Sequence, residues 1–153
     1  PFKGFAHSID TSADLAARVA EEICIQLADE SFKVVILFTG HYPPEQIDAL
    51  EEGARRARKM AKGTRFLVWA DNQFLGDQYV GDHAGATETS FQMFFDPKSI
   101  VLDSLPDRPL TLDGDGVMGD DPREASVERG ELQLKVVLQN VVPKVKALLE
   151  EIK

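Results

Sequence analysis

The sequence is poor in several things, and each shortage excludes something. A single cysteine, Cys24, stands among 153 residues, so no disulfide can form within the chain and a reducing, cytoplasmic setting is the expectation. Cations are also in short supply, 17 Lys and Arg against 26 Asp and Glu for a net charge of -9. Nucleic-acid binding needs clustered Lys and Arg to meet phosphates, which argues against that class. No apolar run approaches the roughly 20 residues of a membrane-spanning helix. No phosphate-binding loop and no dinucleotide fingerprint occurs. The "DGDG" at 113–116 lacks the spacing of acids and terminal glutamate that a calcium loop requires. Ser90 has no nucleophile elbow around it. His7 stands alone. Internal repeats and low-complexity tracts are absent as well.

What is present is a core-forming chain with 43% hydrophobic residues, enough for one domain. Thr11 or Ser12 can cap a helix, with Asp14 able to close a capping box from Thr11. Leu15, Val19, Ile23 and Leu27 repeat behind them at helical spacing, with Cys24 as a small core neighbour. "KVVILF" (33–38) is a short run rich in β-branched residues, of the kind found in parallel strands covered on both faces. Pro43 and Pro44 suit the first turn of the next helix, whose stripe is Ile47, Leu50, Ala54, Ala57 and Ala61 with Gly63 as its stop. The cluster "RRARK" (55–59) reads as a solvated face of that helix. "TRFLVWA" (64–70) is a second buried strand, and the alternation of helix and strand predicts an α/β fold with a mainly parallel sheet.

Beyond Ala70 lies a polar, glycine-rich loop. Thr87 or Thr89 then opens a short helix that stops at Asp96-Pro97. "SIVLD" (99–103) reads as a small strand or extended segment, and 104–126 as a long connection of the kind that is functional or disordered. The last helix carries Leu134, Val137, Leu138, Val141, Val145, Leu148 and Ile152 on one stripe. Pro143 inside it should kink the helix, because its ring clashes with the carbonyl of Gln139.

Ligands of open α/β sheets bind beyond the carboxyl ends of the strands. "TGHYPPEQ" (39–46) follows the first strand there, and "GDHAGATETS" (81–90) follows the second, so the two loops can converge. His41 can ligate a divalent metal in neutral form, or cap the next helix. Tyr42 can present its hydroxyl to a substrate or pack at the loop rim. Asp82 and His83 set a base beside a carboxylate. Glu88, near a helix N-terminus, is held ionised by the dipole and able to hold a metal. Gly81 and Gly85 let the backbone approach a ligand or simply turn.

Three stretches resemble the creatininase (creatinine amidohydrolase) family: "VVILFTGHYPPEQ", "GDHAGATETSFQMFFDP" and "VMGDDPREASVERGE". The resemblance runs over nearly the whole chain, from about Gly4, and its second and third blocks are long and specific. It implies a three-layer creatininase-like α/β fold and a metal-dependent hydrolase acting on cyclic or linear amides. Two divalent ions such as zinc, manganese or iron would lower the pKa of a water and polarise the carbonyl. His41 matches the family's metal-binding histidine and His83 the histidine that shuttles protons. Glu88 matches the glutamate placed at or beside the metal, Tyr42 a substrate-contacting tyrosine, and Asp82 is a further substrate-binding candidate. A branch of the family opens rings of sugar-derived diketones at a carbon–carbon bond, and a non-catalytic subunit is the reading from a different class.

The chain also departs from the family pattern. Thr39 replaces an asparagine, and Pro43 stands where creatininase has a metal-binding glutamate, with Glu45 two residues out of register. Tyr79 falls near one of the tryptophans that close over creatinine. The family's N-terminal block, Glu-x-His-Gly-x-His-Leu-Pro and a following aspartate, has no counterpart. The expectation is therefore that residues 1–153 are the C-terminal part of one creatininase-like domain. An N-terminal segment or companion chain would supply the remaining metal ligands, and the resemblance further implies a homo-oligomer such as a hexamer.

Overall fold

The computed structural model describes residues 11–76 and 81–152. His7 and Tyr79 lie outside them. The described residues form two compact units. One is built from those between Phe74 and Asn140, the other from those up to Gln73 together with those from Val141.

The second of these units carries the sheet. Helix α1 spans Ala13–Asp29, and Ser12 caps it by accepting the Leu15 N–H at 3.2 Å. Strand β1 (Val34–Thr39) follows, then helix α2 (Pro44–Met60) and strand β2 (Arg65–Ala70). The strands pair in parallel, Val34 opposite Arg65 through Thr39 opposite Ala70. Pro44 occupies the first turn of α2, where its missing N–H costs nothing. Cys24, Val35, Ala54, Ala57 and Phe66 form the core between the helices and one face of the sheet, with Leu27, Leu37 and Val68 against it.

The face that α1 buries differs from the expected stripe. Ala17, Ala20 and Cys24 point into the core, whereas Leu15, Val19 and Ile23 are 46%, 50% and 46% exposed. The cause is close approach of the two helices. A Cβ added to Gly53 of α2 would lie 2.5 Å from the Ala17 carbonyl oxygen and 2.7 Å from the Ala20 Cβ. Only small side chains fit such a contact, so the larger ones turn outward. Nor is β1 covered on both faces among the described residues: Val35 is buried, but Phe38 is 47% exposed.

"RRARK" behaves as a solvated face. Arg55 and Arg56 both bind Glu52, Arg56 also meets Asp14, and Arg58 donates to the Phe66 carbonyl at 2.6 Å.

The other unit holds helix α3 (Ala86–Phe95), a one-turn helix α4 (Leu112–Asp115) and the first part of the long helix α5 (Val127–Glu150). "SIVLD" is not a strand: Pro97–Ser99 and Leu102–Ser104 are single 3-10 turns. Asp96 draws the first of them tight by accepting the Lys98 N–H at 3.2 Å, which interrupts an extended run. The 104–126 connection is ordered by its own polar groups. Arg108 grips Asp115 with two bonds of 2.8 Å, and Asp121 caps the 3-10 turn at Pro122–Glu124. Helix α5 runs through Pro143, and its stripe is buried at Val137 while Leu138 is 49% exposed.

Candidate active site

The loop before α3 is built around one buried carboxylate. Asp82 is only 6% exposed. Its Oδ2 accepts the N–H groups of Thr87 at 2.6 Å and Glu88 at 3.4 Å, two of the donors that the first turn of a helix leaves unpaired. Asp82, five residues upstream of Thr87, therefore does the work expected of a Thr87 or Thr89 hydroxyl, and Gly85 is the residue at the helix boundary. Asp82 Oδ2 is thereby turned onto the start of α3. Its second oxygen, Oδ1, is buried with no hydrogen-bond partner among the described residues.

Two glycines let the chain close over this group. At Gly85 an added Cβ would stand 2.7 Å from Asp82 Oδ2, and at Gly119 one would stand 2.5 Å from Asp82 Cβ. Gly119 also has φ +98, a conformation that L side chains rarely adopt. The residues on either side of Gly119 then pin the loop. His83 and Met118 exchange both backbone bonds at 2.9 Å, and the Ala86 N–H reaches the Asp120 carbonyl at 3.0 Å. Arg129 of α5 ties Thr87 and Asp120 together from below.

The outcome is a placed pair. Ala84 takes a left-handed conformation, φ 49. Its N–H donates to Glu88 Oε2 at 2.8 Å, and the same oxygen lies 4.0 Å from His83 Nδ1. Both side chains are partly exposed, so a reacting molecule can reach them. A partly open imidazole beside a fixed carboxylate can take up and return a proton, with the carboxylate facing the imidazolium that forms. Helix α3 is held on its far side as well. Ser90, fully buried, donates to the Ala86 carbonyl at 2.5 Å and accepts the Ser126 N–H at 3.1 Å.

His41 and Tyr42 belong to the unit that carries the sheet, at the carboxyl end of β1. His41 is exposed. Its backbone is fixed by the residue that replaces the family's asparagine: Thr39 Oγ1 accepts the His41 N–H at 3.0 Å and donates to the His41 carbonyl at 2.7 Å. The structure adds a residue to this edge, Asp71, directly after β2. A Cβ on Gly40 would lie 3.5 Å from Asp71 Oδ2, so this carboxylate and the His41 turn are neighbours. An acid immediately following an apolar strand was the signal in the sequence. Thus Asp82, His83 and Glu88 come together in one unit, and in the other the His41 turn neighbours Asp71, with Tyr42 next to His41 in sequence. Among the described residues, no group of three or more His, Cys, Asp and Glu side chains is arranged to hold a metal ion. The described residues do not complete a metal site on their own.

These features have relatives. A family model described as creatinine amidohydrolase matches residues 1–145. Solved structures share the fold. A tryptophan-to-phenylalanine mutant of creatininase superposes with a TM-score of 0.75 at 22% identity, over 94% of this chain and 67% of that one. A glutamate-to-glutamine mutant complexed with creatine gives 0.76 at 20%, over 97% and 69%. The same kind of mutant in a Zn-Zn form gives 0.77 at 19%, over 94% and 67%. No curated protein matches. The fold is thus that of a creatininase-like α/β protein with a parallel sheet. With the family model matching nearly its whole length, the chain belongs to the creatininase family.

Proposed function

We propose that this chain works in a metal-dependent hydrolase of small amides, open or cyclic, with His83 as general acid and base. The observation that carries the reading is the His83–Glu88 pair, 4.0 Å apart on a loop bonded on both sides. His83 accepts a proton from water as the water oxygen bonds to the amide carbon. It returns that proton to the leaving nitrogen as the carbon–nitrogen bond breaks, so the imidazole ends as it began. Glu88 holds its Oε2 on Ala84 and beside His83, steadying the cationic imidazole between the two transfers.

A divalent ion such as zinc, manganese or iron, when bound, supplies Lewis acidity toward the carbonyl and a more acidic water. The candidate ligands by family resemblance are the His41 imidazole in the sheet-bearing unit and a Glu88 carboxylate oxygen in the other. The remaining ligands come from protein outside the described residues. Tyr42, beside His41, contacts the substrate. Creatinine itself fits less well than a related amide, since Pro43 stands where creatininase carries a carboxylate.

The test is metal analysis of the native assembly joined to hydrolysis assays on creatinine and a panel of cyclic and linear amides. Near-stoichiometric metal, lost with His41→Ala, and amide turnover, lost with His83→Ala, are expected. A metal-replete assembly that turns over none of them would leave a non-catalytic subunit as the better account.

A further inference from the structure

We propose that Asp82 is the positioning residue of the His83–Glu88 pair, setting the geometry of both side chains through the backbone it binds. The proposal rests on the reading of His83 as the proton carrier for its consequence in catalysis, but not for its geometry.

A capping carboxylate ordinarily sits at a helix start in contact with water, and its loss is felt as stability alone. Asp82 differs in three ways. It is buried, so its loss cannot be made good by solvent. It is enclosed by backbone, with Gly85 and Gly119 each so close that a Cβ on either would overlap it. And it is linked to both residues it governs: His83 is its covalent neighbour, and the Glu88 N–H is one of its two hydrogen-bond donors.

The chain from Asp82 to Glu88 is a closed loop of contacts. Oδ2 fixes the first turn of α3 at Thr87 and Glu88. The Glu88 side chain reaches back to the Ala84 N–H. Between these anchors His83 is locked to Met118 by two backbone bonds. Removing the carboxylate frees the Thr87 and Glu88 N–H groups and empties the space beside Gly85, where Oδ2 now packs. The loop then relaxes into that space, and the His83 ring moves relative to Glu88. The element at work is the acceptor oxygen, so an asparagine, which caps helices about as well as an aspartate, restores the arrangement.

The experiment follows the histidine signals by carbon-detected NMR in the native assembly, with this chain labelled at the histidine Cε1. The signals are assigned by their loss in His83→Gln and His41→Gln. Asp82→Ala is expected to shift the His83 signal and leave that of His41 in place, and Asp82→Asn to return the His83 signal to its original position. Ser12→Ala, which removes the cap of α1 instead, lowers stability without moving the His83 signal. An Asp82→Ala protein that melts earlier with the His83 signal unmoved would show a plain cap and overturn the proposal. If the alanine variant does not fold, Asp82→Asn decides, because a folded Asp82→Asn with a displaced His83 signal overturns it equally.

In assays of the metal-replete assembly on creatinine and the same panel of amides, Asp82→Ala should lower kcat on the amide turned over fastest about 10–100-fold, the usual cost of losing a supporting contact, with KM within about twofold. Absence of turnover in the unmodified assembly counts against the proposed function. It leaves the histidine signals to decide the role of Asp82.

Discussion

Glu52 and Asp115 are two carboxylates whose acidity the fold raises strongly. Hydrogen bonds from Arg55 and Arg56 pull Glu52 down from 4.5 to about 2. The two-pronged grip of Arg108, helped by the Thr111 N–H, pulls Asp115 from 3.8 to about 2. Lowered folded-state values mean that the stabilisation is complete above the unfolded values, near 4.5 and 3.8, and is lost as pH falls toward about 2. Both ion pairs lie at the surface, with Arg55 and Arg108 each about half exposed, so the effect is modest and shrinks in salt. The melting temperature measured from pH 6 to pH 2 should fall across that window, and Glu52→Gln with Asp115→Asn together should flatten part of the descent. An unchanged slope in the double variant would show that other carboxylates set the acid limb.

At the same scale, the site was half legible. "GDHAG" announced a histidine beside an acid, because the residue types alone carry that chemistry. What Asp82 does was not legible. It depends on Gly119, thirty-seven positions away, adopting φ +98 and letting the chain close over the carboxylate.

Among the elements, the contact of α1 with α2 has a sharp test in Gly53. In an exposed helix, glycine to alanine stabilises by about 1 kcal/mol. At Gly53 the new methyl would meet the Ala17 carbonyl oxygen at 2.5 Å and the Glu21 nitrogen at 3.0 Å, both backbone atoms that move only with α1. Overpacking of this kind costs about 1–3 kcal/mol, so the steric effect outweighs propensity. Gly53→Ala should therefore lower the midpoint of urea unfolding, and a raised midpoint would show that α1 shifts freely. Gly130 makes the same argument for α5 against α3, where a Cβ would overlap the Ser90 carbonyl oxygen.

This contact also explains what sequence patterning missed. Helical spacing placed α1 and α2 correctly, since both repeats of 3.6 are strong, and the β-branched run fixed β1. The direction of α1 was not in the pattern. Two stripes compete on that helix, one of large residues and one of Ala17, Ala20 and Cys24, and only the glycine on the facing helix selects the small one. "SIVLD" failed for a related reason. Ile100, Val101 and Leu102 have strand propensity, but Asp96 and Pro97 before them favour a 3-10 turn, and among the described residues no strand pairs with them.

For the molecule as a whole, an excess of nine negative charges and the two histidine-bearing loops bear on one property, its response to divalent ions. Acidic surface attracts cations weakly wherever it occurs, and such binding stabilises little and at no particular residue. A ligand that binds the folded state at a defined site stabilises it by RT ln(1 + [L]/Kd), about 2.7 kcal/mol at a hundred times Kd. For a protein of this size that amounts to roughly 5–10 °C in melting temperature. If the His41 imidazole is a ligand, manganese or zinc added to the EDTA-treated native assembly should raise the melting temperature by about that much. His41→Ala should abolish most of the rise while leaving the EDTA-treated form unchanged, because the His41 side chain is exposed. Thr39 also holds its backbone without help from the ring. Magnesium, which prefers oxygen ligands and keeps its waters, should give little in either protein and so measures the contribution of surface charge. Equal rises in the unmodified protein and in His41→Ala would remove His41 from the metal site.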